Sequence, residues 1–406
     1  MISKKLYLVI VILSNISNAQ WFVQNSGTTN SLQHVYSLDI NNAIAVGNAG
    51  TILKTTDGGT IWNPVASGVT NALLCVDFSD ANNGAAVGNG GTILRTTNGG
   101  SNWMIHASGT TTALRSISLI DNSNGIIVGE IGTILKTTDG GTTWIPQSSG
   151  TTSLLNGVSF SDINNGTAVG ESGIILRTID GGITWTPQSS GIINFLSDVS
   201  FFDSDNGIVV GIGGVILNTT NGGTNWSSQS SGTINVLWDV THIDANNITV
   251  SGDQGTILRS TDSGTTWESQ LSGTPNYLQG ISFSDLNNGA AVGIQGTIIK
   301  TTNGGVTFIN DEEELNGVVT DFTLSQNYPN PFNPTTVINY SIPERSIVSL
   351  KIFDLLGNEI ATLINKEQSV GTYRVEFSGA ELSSGMYLAR LQVGNYTKTV
   401  KMSLLK

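Results

Sequence analysis

Gly173-Ile174-Ile175-Leu176-Arg177-Thr178-Ile179-Asp180-Gly181-Gly182-Ile183-Thr184-Trp185 is the stretch whose reading decides the fold. Its apolar start reads as a strand. Asp180-Gly181-Gly182 reads as a hairpin turn, because both central residues of a type I′ turn need positive φ. Trp185 then opens a returning strand that ends near Gln188. Upstream, Leu155, Val158 and Phe160 predict a first strand, Asp162-Ile163-Asn164-Asn165-Gly166 a turn, and Thr167-Ala168-Val169-Gly170 a second strand. The whole unit recurs at steps of 41 residues, marked by Trp62, Trp103, Trp144, Trp185, Trp226 and Trp267, with Trp21 and Phe308 in the same phase. A sheet copied at that interval falls within the roughly 40–45-residue range of propeller blades. The expected fold is all-β: a seven-bladed β-propeller over 20–310.

The second and third strands are continuously apolar rather than alternating, as expected of sheets covered on both faces by their neighbours. One four-stranded sheet cannot bury its faces alone, so the copies must stack. Each tryptophan can bury about 150–250 Å², worth at most roughly 4–6 kcal/mol. Trp21-Phe22-Val23-Gln24-Asn25-Ser26-Gly27-Thr28 matches Trp144-Ile145-Pro146-Gln147-Ser148-Ser149-Gly150-Thr151, the outer-strand segment of a blade. The segment 21–25 is therefore expected to supply the outer strand of the last blade and close the ring, which also removes free sheet edges.

Composition bounds the partners. Between 21 and 310 there are 7 lysines and arginines against 19 carboxylates, a balance of −12. That excludes the basic stripe that nucleic acid requires and disfavours anionic membranes. Cys75 is the only cysteine, so neither an intrachain disulfide nor a thiolate metal cluster is available; it reads as a small core residue. Residues 1–19 read as a secretory signal: Lys4 and Lys5, the apolar run Leu6 to Leu13, and Ser17-Asn18-Ala19 as a cleavage site. The apolar run is too short to span a bilayer, and the chain offers no other transmembrane candidate.

Two resemblances follow from these motifs. Thr137-Thr138-Asp139-Gly140-Gly141-Thr142-Thr143-Trp144 resembles the Asp-box of the BNR repeat. Together with Gly129-x-x-Gly132-Thr133-Ile134-Leu135-Lys136 it is similar to the seven-bladed propellers of the photosystem II assembly and stability factor family. The box positions are Asp57, Asn98, Asp139, Asp180, Asn221, Asp262 and Asn303. The resemblance implies that they lie at the blade periphery and stabilise a turn; asparagine at three of them shows the charge is dispensable.

The second resemblance lies in the tail. It begins with Asn327-Tyr328-Pro329-Asn330-Pro331-Phe332-Asn333-Pro334, continues through Ile352-Phe353-Asp354-Leu355-Leu356-Gly357 and Ser384-Gly385-Met386-Tyr387, and ends with Lys398, Lys401 and Lys406. The stretch 322–406 resembles the type A C-terminal sorting domain of the type IX secretion system. An Ig-like β-sandwich recognised by the outer-membrane secretion and sorting machinery is implied. An acidic linker, 311–321, separates the modules.

In a ring of superposed copies each sequence phase becomes a ring of side chains. The ring of Asp39, Asp80, Asp121, Asp162, Asp203, Asp244 and Asp285 admits a calcium-loop reading, but alternating acidic ligands are largely missing. A turn role, each aspartate bonding its own backbone, is the better expectation. The ring of Lys54, Arg95, Lys136, Arg177, Asn218, Arg259 and Lys300 is expected to end the third strand, with packed stems and solvated heads. Neither a metal nor a cofactor is expected.

Localised function is expected on the opposite face, at the loops into strand one and between strands two and three, where the phases turn irregular. One ring there reads Gln33, Leu74, Arg115, Asn156, Ser197, Trp238 and Gln279; the next reads His34, Cys75, Ser116, Gly157, Asp198, Asp239 and Gly280. Glu130, Glu171 and Asp253 join them from the second loop. Candidate ligand-binding residues are thus Arg115, Trp238, Glu130, Glu171 and Asp253. A sialidase needs three arginines at such a mouth, and Arg115 stands alone. Asp198 and Asp239 are the one plausible glycosidase pair, a chemistry that needs carboxylates about 5–10 Å apart. The expectation is a monomeric, exported, secreted or surface-attached propeller that binds a protein or glycan without catalysis. The alternative is a secreted glycoside hydrolase using Asp198 and Asp239. Photosystem assembly ranks last, because the sorting tail directs the chain elsewhere.

Overall fold

The structure, a computed structural model, describes residues 21–305, 321–380 and 382–405. It divides into two compact units, Met1–Phe308 and Ile309–Lys406. The predicted leader, Phe308 and all of the predicted linker except Asp321 lie outside the described residues.

The first unit is the seven-bladed propeller, each blade an antiparallel four-stranded sheet. Inner strands run Leu32–Ser37, Leu73–Phe78, Leu114–Leu119, Leu155–Phe160, Leu196–Phe201, Leu237–His242 and Leu278–Phe283, defining blades one to seven. Blade four continues with Gly166–Gly170, Ile175–Thr178 and Thr186–Gln188, in the register Val158↔Ala168, Ala168↔Leu176 and Leu176↔Pro187. Its second strand is buried at every position, as the continuous apolar run requires. The cores lie between blades rather than within them. Val35, Ala45, Leu53 and Trp62 of blade one, for example, pack against Ala290, Val292 and Ile298 of blade seven.

Strand Phe22–Gln24 pairs with the third strand of blade seven, Phe22 opposite Lys300 and Gln24 opposite Ile298, and completes that sheet. Trp21 anchors it. The indole is 1% exposed, meets Phe283 edge-on at 5.8 Å, and donates from Nε1 to Gln270 Oε1 of blade six at 3.0 Å. Further bonds cross to blade one, with the Ser37 N–H donating to Ser282 Oγ at 2.9 Å and Lys300 Nζ to the Gly58 carbonyl at 2.7 Å.

The second unit is a β-sandwich. Strands Thr323–Leu324, Thr335–Ile342 and Gly371–Ser378 form one sheet. The other, in spatial order, is Glu359–Gln368, Ser346–Phe353, Gly385–Val393 and Tyr396–Leu404. One core joins them, with Tyr340 and Ile338 meeting Leu350, Leu391 and Met402. Buried Asn327 donates from Nδ2 to the Pro329 carbonyl and to Thr336 Oγ1, holding the proline-rich entry segment in place.

Candidate functional site

The two ends of the propeller are built differently, and the contrast locates the site. At one end lie the first-to-second strand turns and the Asp-boxes. In the box of blade three, Thr137 Oγ1 accepts from the Gly141 N–H and donates to Asp139 Oδ1; that oxygen also accepts from the Thr143 N–H. Hydrogen bonds from the Thr143 hydroxyl and then its backbone hold the Asp139 carboxyl down to about 2. Asn98 makes the same two contacts through its amide oxygen, with Thr96 and the Asn102 N–H, and Asp57, Asp180, Asn221 and Asp262 repeat them. Asn303 keeps the threonine contact, from Thr301, and accepts from the Gly305 N–H. The second glycine is required: Gly182 has φ +82°, and a Cβ there would stand 2.7 Å from Ile126 of the preceding blade.

Each box docks on the neighbouring turn of its own blade, as where the Gly181 N–H donates to the Asn164 carbonyl. That turn is closed by an aspartate. Asp80 Oδ1 accepts from the Asn82 and Asn83 N–H groups, and the Asn83 amide bonds both carboxylate oxygens. The other six turn aspartates do the same.

The ring of Lys54 to Lys300 departs from expectation at Arg177, Asn218, Arg259 and Lys300, whose heads are bonded to protein. They reach across to the next blade and donate to its turns: Arg177 to the Ser204 carbonyl, Asn218 to Ser263, Arg259 to Gly304, Lys300 to Gly58. Lys54 Nζ donates to Ser101 Oγ, one blade on. Arg177 and Arg259 are each 7% exposed and lie over Phe201 and Phe283. Main-chain carbonyls at a blade's end are unsatisfied acceptors, so a long cation one blade back is well placed to meet them.

Inside the channel a second set of cross-blade bonds appears. Each inner strand carries a bulge, as between Leu196 and Asp198, and several N–H groups on its unpaired, channel-facing edge are met by side chains of the preceding blade. Asp198 Oδ2 accepts from Val240 N–H at 3.2 Å, Asp239 Oδ2 from Ile281 N–H at 2.7 Å, and Ser116 Oγ from Val158 N–H at 3.3 Å. Two residues along, Asp77, Ser118, Ser159, Ser200 and Ser282 accept likewise from Leu119, Phe160, Phe201, His242 and Ser37. This second collar was not anticipated from the sequence, although its Ser/Asp column repeats in phase.

Asp198 and Asp239 are thus brought together, but deep in the channel rather than at an open mouth. They lie near enough to influence each other electrostatically, and Asp239 is 6% exposed. Burial first, and the Asp239 charge second, push the Asp198 carboxyl well above the usual range. Burial likewise raises Asp77 to about 7. His34 Nε2 stands 3.6 Å from Asp239 Oδ2, reaching past blade seven, where Gly280 leaves room. Cys75 is buried among them, its thiol pushed up by burial.

The propeller architecture, the 41-residue phase and the box geometry agree with a direct sequence match. Residues 13–104, 60–149, 104–189 and 146–274 match the family model described as photosynthesis system II assembly factor YCF48. The chain belongs to this family. Solved YCF48 structures overlay its propeller. One, YCF48 bound to D1 peptide, is 22% identical with a TM-score of 0.60 over 70% of this chain and 95% of its own. YCF48 from Cyanidioschyzon merolae is 22% identical with a TM-score of 0.59, over 69% and 98%. The WD40 repeats of RRP9, 8% identical with a TM-score of 0.60 over 70% and 97%, share the fold alone. None of the curated proteins compared matches the chain significantly. Beyond the YCF48-family propeller, residues 326–404 match the secretion system C-terminal sorting domain. The chain therefore carries its own export signal in a module that the propeller does not need for closure.

The family's other propeller end, in this chain, is the irregular one. Here the structure pairs the remaining sequence candidates within blades. Arg115 Nη2 meets Glu130 Oε1 at 2.6 Å on blade three, and Trp238 Nε1 donates to Asp253 Oδ1 at 2.6 Å on blade six. Gln33 and Asn48 repeat that geometry on blade one. Glu171 is exposed on blade four, its N–H bonded to the Leu154 carbonyl. The five candidates share one face but form two separate couples and a single carboxylate. Among the described residues, no group of three or more histidine, cysteine or carboxylate side chains is arranged to hold a metal ion.

Proposed function

We propose that this chain is an exported, non-enzymatic binding propeller, monomeric, released or held at the outer surface after passage through the periplasm, and that it presents its irregular end to a partner. The tail, 322–406, would be the part read by the secretion and sorting machinery. One observation carries the reading. The carboxylates best placed for chemistry, Asp198 and Asp239, are committed to main-chain N–H groups of the next blade. A YCF48 structure with a peptide bound supports a binding role for this architecture.

The experiment compares the mature chain with an Asp198→Asn/Asp239→Asn variant on polysaccharide substrates and on a glycan array. The reading expects no turnover by either protein. Hydrolysis lost in the variant would establish the glycoside hydrolase alternative instead. Deleting 322–406 is expected to leave the propeller folded but retained inside the cell, read by fractionation.

A further inference from the structure

We infer that the partner of the irregular end is a protein segment combining apolar and cationic residues, and that it docks on an arc spanning blades five to seven. This rests on the binding reading above and names where and what is bound.

The arc is visible when the loops leading into the inner strands are compared. At one loop position blades one to four carry Thr29, Thr70, Thr111 and Thr152; blades five and six carry Ile193 and Ile234. These isoleucines are 87% and 88% exposed, among the most exposed large apolar residues described in the propeller. Two positions on, blades five to seven hold Phe195, Val236 and Tyr277 and blade four Leu154, where blades one to three hold Ser31, Ala72 and Ala113. Ile212, at the tip between the second and third strands of blade five, is exposed too.

Hydrogen bonds make these residues one surface. The Ile212 N–H donates to the Phe195 carbonyl at 3.0 Å, and Asn194 Nδ2 to the Ile212 carbonyl at 3.1 Å. Gly214 lies against the Thr233 carbonyl, next to Ile234. The Asp253 N–H then donates to the Val236 carbonyl at 2.9 Å, and Gly255 lies against Thr274, in the loop that carries Tyr277. Exposed apolar side chains on loops tied together in this way, at positions where blades one to four carry threonine, mark an interaction site.

Its chemistry selects the partner. The most exposed side chains of the arc, Ile193 and Ile234, offer a sugar neither hydrogen bonds nor a stacking plane, Tyr277 adds an exposed ring only at the blade-seven edge, and the indole N–H of Trp238 is already given to Asp253. That favours a protein over a glycan. Six of the seven propeller cations belong to positions at the opposite end, where they face the next blade's turns; Arg115, the seventh, is held by Glu130. With Arg115 paired on blade three, this end of blades five to seven has Glu171 and Asp253 beside the arc and no cation, so a lysine or arginine flanking an apolar anchor is complementary.

The test uses the full mature chain, immobilised, with a random peptide library displayed on phage. Selected peptides are expected to pair apolar residues with lysine or arginine. Their affinity should fall about tenfold or more in an Ile193→Ser/Ile234→Ser variant and hold in Thr111→Ser/Thr152→Ser. Both pairs are exposed, so unchanged thermal melts check the fold. Peptides that bind the Ile variant equally well, or that are acidic, would overturn the arc. Glycan binding that survives in the Ile variant would also overturn it while leaving a binding propeller intact, whereas carboxylate-dependent hydrolysis would overturn both. Concentration-dependent dimers lost in the Ile variant would identify a second copy as the occupant, against this inference.

Discussion

The two ends of the propeller contain the same seven blades and opposite solutions to the same problem. At the Asp-box end nearly every polar group is spent on a neighbour: box on turn, turn on itself, cation on the next blade's carbonyls. At the other end the couples of Arg115, Trp238 and Gln33 stay within a blade, Asn156 alone of that ring reaching the next blade at Ser197, and the loops are free to differ. Residues that repeat hold the ring together, and residues that break the repeat are where selection has been free to build a surface. The chemistry of a ring position is therefore read better from its departures than from its consensus.

The largest way to break this division is to open the seam. Removing 21–26 strips Trp21 and the outer strand from blade seven; loss of a buried tryptophan alone costs about 3–5 kcal/mol, and an exposed edge adds aggregation. A sharply lower melting temperature is expected, and an unchanged melt would mean that closure does not depend on this strand. Next comes Arg259→Ala, which leaves the Leu286 carbonyl without its donor and the Gly304 carbonyl with Gln270 Nε2 alone. About 2–3 kcal/mol should be lost in denaturant unfolding, with Asn218 as the precedent that a shorter neutral donor can serve.

A third effect appears as pH dependence. Burial holds the Asp77 carboxyl at about 7, above its unfolded value near 3.8. The folded state therefore binds the extra proton between these values, and stability should fall as pH rises from about 4 to about 7, then level off. Asp198, shifted the same way, adds to the slope. Asp77→Asn should flatten the profile measured by thermal melts, and a slope of the opposite sign would discount the buried collar. The smallest effect sharpens the comparison from the other end: Glu130→Gln, breaking a part-exposed couple, should change stability by less than about 1 kcal/mol.

Blade count, strand order, the box and the closing strand were all legible, because each is announced by residues that are neighbours in one copy. Trp21 matching Trp144 was enough to place the seam. What stayed hidden joins different copies. Asp239 bonds the N–H of Ile281, and Ser118 that of Phe160, a step of 42 rather than 41. A residue column read strictly in phase puts Asp239 beside Gly280 and suggests a shared mouth; the bond to the following residue shows a strut instead. Likewise Arg177 looked like a strand end with a solvated head because its acceptor, the Ser204 carbonyl, has no sequence signature. Ile193 and Ile234 stand where blades one to four carry threonine, and a change that brings neither charge nor motif gives no chemical signal in sequence.

Because Phe22–Gln24 and Ile298–Thr301 are partners, the earliest stretch of the propeller waits for nearly the latest. No partial product can saturate its own rim: a chain halted after blade three or blade six is left with a raw border, recognisable to any protease that samples loose strands. The lap joint thus ties the sealing of the ring to the arrival of its last blade.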